Sequence, residues 1–414
     1  MTDATSGPTV RPLQHDELQQ GARLVASTML GSVADDVTER WAQVWADGST
    51  SHGAFSSTGE LAGVARWFGA DLSMAGPAVR AACVTAVAVL PTHRRQGHLR
   101  RLMLDQLATV EEAEVPIALL VAAEWGIYGR FGYGPAIDAC GFEIDTASAH
   151  FRAPRTGSVE LVDPAELRPH LEAMHDARWR RTMGAVTRVG AVWDRVTGVD
   201  TWPGDKTDLG TRRGAIWRDA NGEVRGAVAY AVSDQWTRNR PTGRIDVTLL
   251  VGDTAEAERE LWRHLCDTDW IATVAAGNRP IDDPLSLFLH DGRAAAQLDR
   301  FDCIWARILD VPGVLAHRRT TVSGRAVVEV VDELGFATGR WSLDLGPDGA
   351  DVAGTSDPVD VRLPVAALGA VSLGGMSVTR LQHAGWVDEE RPGGIARLDA
   401  LLGTPTAPWS PTTY

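Results

Sequence analysis

Several patterns are scarce or absent in this 414-residue chain, and each absence narrows its possible functions. The four cysteines lie far apart without a Cys-x-x-Cys pair, which excludes a zinc ribbon or a disulfide framework. No apolar run approaches membrane-spanning length, and the first residues, MTDATSGPTVRPL, do not resemble a signal peptide. We therefore expect a soluble, cytoplasmic protein with no metal and no membrane partner.

The chain also contains little lysine and carries a net negative charge. Lys206 is the single lysine, which the codon usage of a GC-rich genome explains, so no function is inferred from it. The formal net charge of −14 disfavours nucleic acid as a partner. An arginine cluster on such a protein is expected to bind a small anionic ligand. Hydrophobic residues make up 44% of the chain, a globular composition that fits roughly two to four domains.

One arginine-rich segment has the pattern of a ligand site. The sequence CVTAVAVL predicts a strand that ends at Leu90, and PTHRRQGHLRRLM then leads into a helix, followed by the strand IALLVAA from Ile117. Unpaired amides and a partial positive charge at a helix N-terminus bind anions, and Gly97 lets the backbone approach a ligand closely. A solvated basic helix start is the alternative, but the flanking strands favour the ligand site.

Other nucleotide and hydrolase motifs do not match. The turn lacks the G-x-x-x-x-G-K-[ST] pattern of a Walker loop, and GRFGYG has the wrong glycine order for a Rossmann turn. No G-x-S-x-G elbow supports a Ser–His–Asp hydrolase. No aromatic residues alternate with the arginines of this segment, a pattern that would indicate binding of single-stranded nucleic acid.

The pattern of elements predicts a mixed α/β chain with three domains, at residues 1–152, 153–298 and 299–414. In the first, helices are predicted over Leu13–Leu30 and Asp35–Trp45, and FRAPRTGSV, residues 151–159, has linker character. The second repeats the strand–helix–strand order without the basic glycine turn. From about Phe301 the chain is expected to form short strands and an alanine-rich helix.

The V-A-V-x-P-x-x-R-R-x-G segment resembles motif A of the GNAT acetyltransferases, written [RQ]-x-x-G-x-[GA], with Leu99 departing at the last position. This resemblance implies that the turn holds the pyrophosphate of acetyl-CoA and that the preceding strand bonds its pantetheine arm. The arm is then expected at Val87, Ala88 and Val89. The cofactor turn and a second contact segment are expected to comprise Arg95, Gln96, Gly97, His98, Leu99, Arg100, Ala123 and Glu124.

A second segment narrows the family. AAEWGIYGRFGYGPA, residues 122–136, resembles ASEGGIYGRFGYGPA of the Eis (enhanced intracellular survival) acetyltransferases, which also tolerate leucine after R-R-x-G. The resemblance covers the whole chain and implies tandem GNAT-like domains followed by a sterol-carrier-protein-like domain. Ala123 replaces a serine, which removes a hydroxyl contact. Trp125 replaces a glycine and is expected to reshape the amine pocket.

The resemblance also implies catalytic roles. Tyr128 stands at the position of the general acid, which protonates the leaving thiolate, while Tyr133 is expected to pack in the turn. The α-carboxylate of the last residue, here Tyr414, is the base, and its ordinary pKa of about 3.5 suits it to orienting the amine and relaying its proton. Trp41 either walls the substrate pocket or belongs to the core.

These residues predict an acetyl-CoA-dependent N-acetyltransferase acting on primary amines. The resemblance implies aminoglycosides as acceptors and a hexameric assembly. Two alternatives are open: transfer to lysine side chains or small polyamines, and a non-enzymatic role in which the C-terminal domain binds a lipid.

Overall fold

The computed structural model describes residues 9–29, 34–75, 77–199 and 211–414. Leu30, the expected end of the first helix, and Lys206 lie outside these ranges. None of the described helices is long and apolar enough to cross a membrane. All four cysteines, which the described ranges include, are buried with free thiols.

The first part of the chain contains the predicted strand–turn–helix–strand unit. Helix α3 buries Leu102, Met103, Leu107 and Val110 on one face, as an amphipathic helix does. Its elements are β1 (Thr9–Pro12), α1 (Leu18–Thr28), α2 (Asp35–Ala46), β2 (Ser49–Phe55), β3 (Leu61–Ser73), β4 (Ala78–Val89), α3 (His98–Glu112), β5 (Ile117–Leu120), α4 (Trp125–Tyr128) and β6 (Gly134–Asp145).

Helix α1 begins later than the sequence suggested. His15–Glu17 form a 3-10 turn, in which the Glu17 carboxylate accepts a hydrogen bond from the backbone N–H of Gln14 at 2.8 Å. Arg11 binds the same carboxylate, which stabilises this turn. The regular helix therefore starts at Leu18.

The second part repeats the arrangement of the first. Strands β12 and β13 are parallel neighbours connected by α7, as β4 and β5 are parallel neighbours connected by α3. Thr254 caps the N-terminus of α7, where its hydroxyl accepts from the N–H of Ala257, in place of a basic glycine turn. The elements are β7 (Ser158–Val162), α5 (Pro164–Trp179), α6 (Gly190–Thr197), β8 (Arg212–Arg218), β9 (Val224–Ser233), β10 (Trp236–Thr237), β11 (Arg240–Pro241), β12 (Gly243–Gly252), α7 (Ala255–Cys266), β13 (Ile271–Pro280) and β14 (Ala295–Ile308).

The two parts share one 12-stranded sheet, in the order β1-β2-β3-β4-β5-β14-β6-β13-β12-β9-β8-β7. Strand β14 pairs with β5 through Trp305↔Leu120 and with β6 through Trp305↔Pro135. The segment from Phe301 to Ile308, expected to belong to the third domain, therefore lies in this large sheet. The expected boundary between residues 298 and 299 falls inside β14, because its ladder extends to Ile308.

The segment with linker character is fixed to the second part. Phe151 forms an isolated bridge with Leu289, and the guanidinium of Arg152 donates to the Leu289 carbonyl at 2.7 Å. The last two residues of the segment 151–159, Ser158 and Val159, already belong to β7.

The third part forms a sheet in the order β17-β16-β15-β18-β19 and packs against the large sheet through α9. A Cβ on Gly134 would lie 1.8 Å from the carbonyl oxygen of Ala366, so glycine allows this close approach. Its elements are α8 (Val311–Leu315), β15 (Gly324–Val331), β16 (Gly339–Leu345), β17 (Ala350–Gly354), β18 (Val361–Pro364), α9 (Val365–Ser372), α10 (Val378–His383), β19 (Asp388–Glu389) and α11 (Gly394–Leu402).

Candidate active site

Strands β4 and β5 pair over only four residues and then separate. Their last paired residues are Val84 and Leu120. Beyond this point β4 contains a bulge, marked by a register shift against β3 and by Ala86 with φ of 53°. On the β3 side, Ala88 and Val89 remain paired. The strand edge at residues 87–89 can therefore hydrogen-bond an extended ligand on the other side.

The turn after β4 presents backbone amides and arginines to solvent. Arg95 and Gly97 adopt positive φ of 63° and 86°, and Gly97 caps α3. The first helical hydrogen bond of α3 runs from the N–H of Arg101 to the carbonyl of Gly97 at 3.1 Å. The backbone amides of residues 98–100, which precede Arg101, therefore have no partner within the helix. Arg95, Gln96, Gly97 and Arg100 are exposed. This end of α3 suits a diphosphate.

The two histidines of the turn have a structural role. The rings of His93 and His98 meet edge-on with centroids 5.8 Å apart, and His98 is buried. Burial lowers the pKa of His98, and the charges of His93 and Arg101 lower it further. Leu99, half-buried, packs against the apolar cluster beneath α3. The turn is thereby anchored at the residues that do not face solvent.

Tyr128 lies on the same side of the sheet as α3. It is buried in the cluster that contains Val84 and Met103, with Val87 at its edge. Burial raises the pKa of its phenol, and the nearby charge of Glu124 raises it further. The phenol is therefore protonated at neutral pH and can donate a proton. Ala123 and Glu124 are exposed between β5 and α4.

Tyr133 is fully buried next to Tyr128. Their rings meet edge-on with centroids 6.1 Å apart, and the Tyr133 hydroxyl has no hydrogen-bond partner among the described residues. Burial raises the pKa of this phenol above its ordinary value. Tyr133 thus packs within the turn, as the sequence suggested.

The C-terminal tail docks onto both halves of the large sheet. The indole N–H of Trp409 donates to the amide oxygen of Asn278 at 3.0 Å, and the Asn278 amide donates to the carbonyl of Ser410 at 3.1 Å. Arg188 donates to the hydroxyl of Thr412 at 2.7 Å and to the carbonyl of Pro411. These bonds carry the last residue to the first part of the chain.

A cavity of about 270 Å³ lies where the tail ends. Trp41 and Tyr414 both line it, so the structure brings these two predicted residues together. Thr85, Ala86 and Val121 also line it, and they directly follow the last residues paired between β4 and β5. The cavity therefore opens onto the point where the two strands separate.

Trp125 lies elsewhere. Its side chain is not among those lining the cavity; it is 56% exposed and meets the edge of Trp305, with ring centroids 4.9 Å apart. Trp305 comes from β14, which pairs with β5, so this contact depends on the strand that the sequence placed in another domain.

Other lining residues were not predicted. Arg66 and Trp45 line the cavity, and Phe68 packs against Tyr414. One signal was available, because Arg66 is the only charged residue within LAGVARWFG, a run otherwise typical of a buried strand. Arg195 and Thr413 also lie on the cavity, and no local pattern identifies them.

Residues 9–136 match an acetyltransferase (GNAT) domain, residues 184–308 a second acetyltransferase (GNAT) domain, and residues 311–411 a sterol carrier protein domain. The predicted order of tandem GNAT units and a sterol-carrier-like unit is confirmed.

Proteins of similar sequence and structure are also N-acetyltransferases by name. An uncharacterized N-acetyltransferase from Streptomyces griseus is 36% identical over 417 residues, covering 98% of this chain and 99% of its own length. N-acetyltransferase Eis from Mycobacterium tuberculosis is 32% identical over 363 residues, covering 83% and 84%. The crystal structure of Eis1 from Mycobacterium abscessus superposes with a TM-score of 0.85 at 33% identity, covering 98% of this chain and all of that one. The chain therefore belongs to the Eis-like GNAT N-acetyltransferases and is an enzyme of that family.

Proposed function

We propose that this enzyme transfers the acetyl group of acetyl-CoA directly to a primary amine held in the cavity that ends at Tyr414. The observation that carries the proposal is the opening of this cavity onto the separation between β4 and β5. An acceptor in the cavity and an extended arm along residues 87–89 would meet at that point.

The cofactor turn supplies charge and backbone donors. The free amides at the start of α3 and the exposed Arg95 and Arg100 suit the diphosphate of acetyl-CoA, and Val87, Ala88 and Val89 suit its pantetheine arm. Gln96, Gly97, His98 and Leu99 complete the proposed turn, and Ala123 and Glu124, exposed between β5 and α4, are proposed as a second contact to the cofactor. Acetyl-CoA supplies the activated acetyl group, and no metal is required in this proposal.

Tyr128 and Tyr414 handle the protons. In the transfer a bond forms between the amine nitrogen and the acetyl carbon while the carbon–sulfur bond breaks. Tyr128 gives its phenolic proton to the departing sulfur, and its raised pKa keeps that proton available. The α-carboxylate of Tyr414 orients the amine and accepts the proton that its nitrogen loses, directly or through water.

The acceptor class is taken first from the resemblance, which implies aminoglycosides, with lysine side chains and small polyamines as alternatives. Trp41, which lines the cavity, is proposed as part of its wall. The proposed effect of Trp125 on the acceptor would act through Trp305 and β5, because Trp125 itself lies outside the cavity lining.

The first experiment measures release of free CoA thiol from acetyl-CoA by the purified full-length protein, across aminoglycosides, polyamines, lysine peptides and simple amines. Binding of acetyl-CoA is measured in parallel by calorimetry. We expect binding and amine-dependent release. Binding without release on any amine would contradict amine transfer, and failure to bind acetyl-CoA would favour the lipid-binding alternative.

We also propose that the protein assembles as a homo-oligomer, with the hexamer that the resemblance implies. Light scattering on the purified chain tests this, with six times the monomer mass of 44.5 kDa as the expected result. A monomeric mass at micromolar concentration would contradict it.

A further inference from the structure

The cavity wall contains a buried arginine that the proposed transfer does not use. Arg66 lies on β3, is 7% exposed, and donates from Nε to the hydroxyl of Ser49 at 3.3 Å. Its guanidinium carbon lies 5.4 Å from the ring centroid of Trp45 and 5.5 Å from that of Phe68. These contacts hold the guanidinium at the cavity.

The terminal nitrogens of Arg66 have no partner of their own. Throughout the part of the chain that the structure describes, no carboxylate pairs with this guanidinium and no acceptor bonds its terminal nitrogens. Buried charges are normally paired, and two aromatic faces compensate only part of the lost hydration. An arginine in this state is suited to bind a carboxylate through two parallel hydrogen bonds.

The rest of the wall does not suit a polycation. Among the described residues, its other side chains are mainly apolar and aromatic, with a further arginine, Arg195, and no Asp or Glu. The terminal carboxylate of Tyr414, which the proposed transfer uses, is a single negative charge. The apolar and aromatic side chains of the wall include Ala22, Val25, Met29, Trp41, Trp45 and Val121. The two carboxylates at the start of α2, which could attract a polyamine, are exposed and paired elsewhere. Asp35 binds Arg23 at 3.0 Å and Asp36 binds Arg40 at 3.3 Å.

Arg66 and the expected position of the amine lie on the same small cavity. Arg66 on β3 and Thr85 on β4 both line this cavity, whose volume is about 270 Å³. Thr85 precedes the bulge at Ala86, where an attacking amine is expected. A ligand that fills the cavity would therefore carry the amine and the carboxylate bound by Arg66 within one small molecule.

We propose that the acceptor is an apolar amine that carries a neighbouring carboxylate, as an apolar α-amino acid does, and that Arg66 binds this carboxylate. The apolar side chain of the ligand lies against Trp41 and Trp45. This proposal rests on the proposed transfer to an amine and narrows its acceptor, away from polycationic antibiotics.

The test compares amines that differ only in the carboxylate. CoA release by the full-length enzyme is measured with phenylalanine against phenethylamine, and with tryptophan against tryptamine, alongside kanamycin and spermidine. We expect kcat/KM at least about tenfold higher for each amino acid than for its decarboxylated partner, as a charge-assisted hydrogen bond implies. Equal or higher values for the decarboxylated amines or for the polycations would overturn the proposal.

Substitution then locates the effect. Arg66→Gln is expected to raise KM for phenylalanine about tenfold or more while changing that for phenethylamine less than about threefold. Arg218→Gln, which alters a half-buried arginine that pairs with Glu160 on the outer strands, is the matched control and should change neither. An equal increase in KM for both amines would mean that Arg66 supports the structure of the site without binding the carboxylate, and would overturn the assignment.

A measurement on the unaltered protein covers the case in which Arg66→Gln does not fold. With CoA present, phenylalanine should raise the melting temperature and phenethylamine should raise it less, because only the first neutralises Arg66. The reverse order would contradict the proposal. Turnover of polycations alone would overturn this inference and leave the transfer to amines intact, whereas turnover of no amine would overturn both.

Discussion

The ring of Tyr414 meets the ring of Phe68 edge-on, with 5.8 Å between their centroids. Tyr414 is thus packed against β3, in the first part of the chain. Its hydroxyl is buried and has no hydrogen-bond partner among the described residues. Burial raises the pKa of this phenol well above its ordinary value. The contact therefore uses the ring of Tyr414, and the proposed base is the terminal carboxylate.

This geometry separates the hydroxyl of Tyr414 from its carboxylate. Tyr414→Phe removes an unsatisfied buried hydroxyl and should leave activity and stability within about twofold and 1 kcal/mol of the original. Deletion of Tyr414 moves the carboxylate back by one residue and should lower kcat/KM about 100-fold or more, in the range of a lost general base. Steady-state CoA release measures both. Full activity in the deletion variant would exclude the carboxylate as base.

Tyr128→Phe should lower kcat about 100-fold or more while leaving acetyl-CoA binding nearly unchanged, because it removes the proton for the sulfur and keeps the ring. The pKa of Tyr128 is raised, mainly by burial, so the phenol keeps its proton up to its ordinary value near 10 and beyond. In the unaltered enzyme, kcat should therefore show no fall caused by Tyr128 between pH 7 and about pH 9.5.

Stopped-flow measurement of the acetyl-transfer step against pH checks this assignment. Above the ordinary pKa, ionisation of Tyr128 favours the unfolded state, so stability should also fall there as pH rises. A basic limb near pH 8 that Tyr128→Phe abolishes would contradict the raised pKa. Wild-type kcat in Tyr128→Phe would remove this residue from the mechanism.

Gly97 and Gly222 provide a matched pair for the cofactor turn. Both have positive φ, 86° and 82°, and a Cβ on either would meet nothing within 4 Å. Replacing each with alanine should cost a similar free energy of unfolding, about 1 kcal/mol, from the left-handed backbone. Only Gly97→Ala should also raise KM for acetyl-CoA, because its methyl group stands where the backbone approaches the diphosphate.

Thermal melts measure the loss of stability in each variant, and acetyl-CoA titrations measure the loss of cofactor binding. Gly222 lies in the hairpin between β8 and β9, far along the chain from the turn, and reports the backbone effect alone. If both variants bind acetyl-CoA as the original protein does, the start of α3 is not the diphosphate site.

Gly134 tests the attachment of the third part to the large sheet. In Gly134→Ala the new methyl would lie 1.8 Å from the carbonyl oxygen of Ala366, so α9 must move away from β6. We expect a loss of about 3 kcal/mol or more in the free energy of unfolding. Gly277→Ala, on β13 with open space around it, is the control and should cost less than about 1 kcal/mol. Denaturant unfolding measures both, and equal losses would contradict this packing.

The sequence alone determined the parts of this protein that depend on local chemistry. The apolar run before PTHRRQGHL and the amphipathic pattern after it predict a strand and helix α3, and both are present. The repeat of strand, helix and strand around α7 was predicted for the same reason. These features follow from backbone conformation and periodicity within about 30 residues.

Only the tertiary structure decided which side chains share the cavity. Trp125 was expected to reshape the pocket, and Trp41 either to wall it or to belong to the core. In the structure Trp41 lines the cavity, and Trp125 packs on Trp305 outside its lining. The insertion of β14 between β5 and β6, and the packing of Tyr414 against Phe68, involve residues far apart in the chain. Their energies come from strand pairing and burial across the whole sheet, which no local pattern of residues encodes.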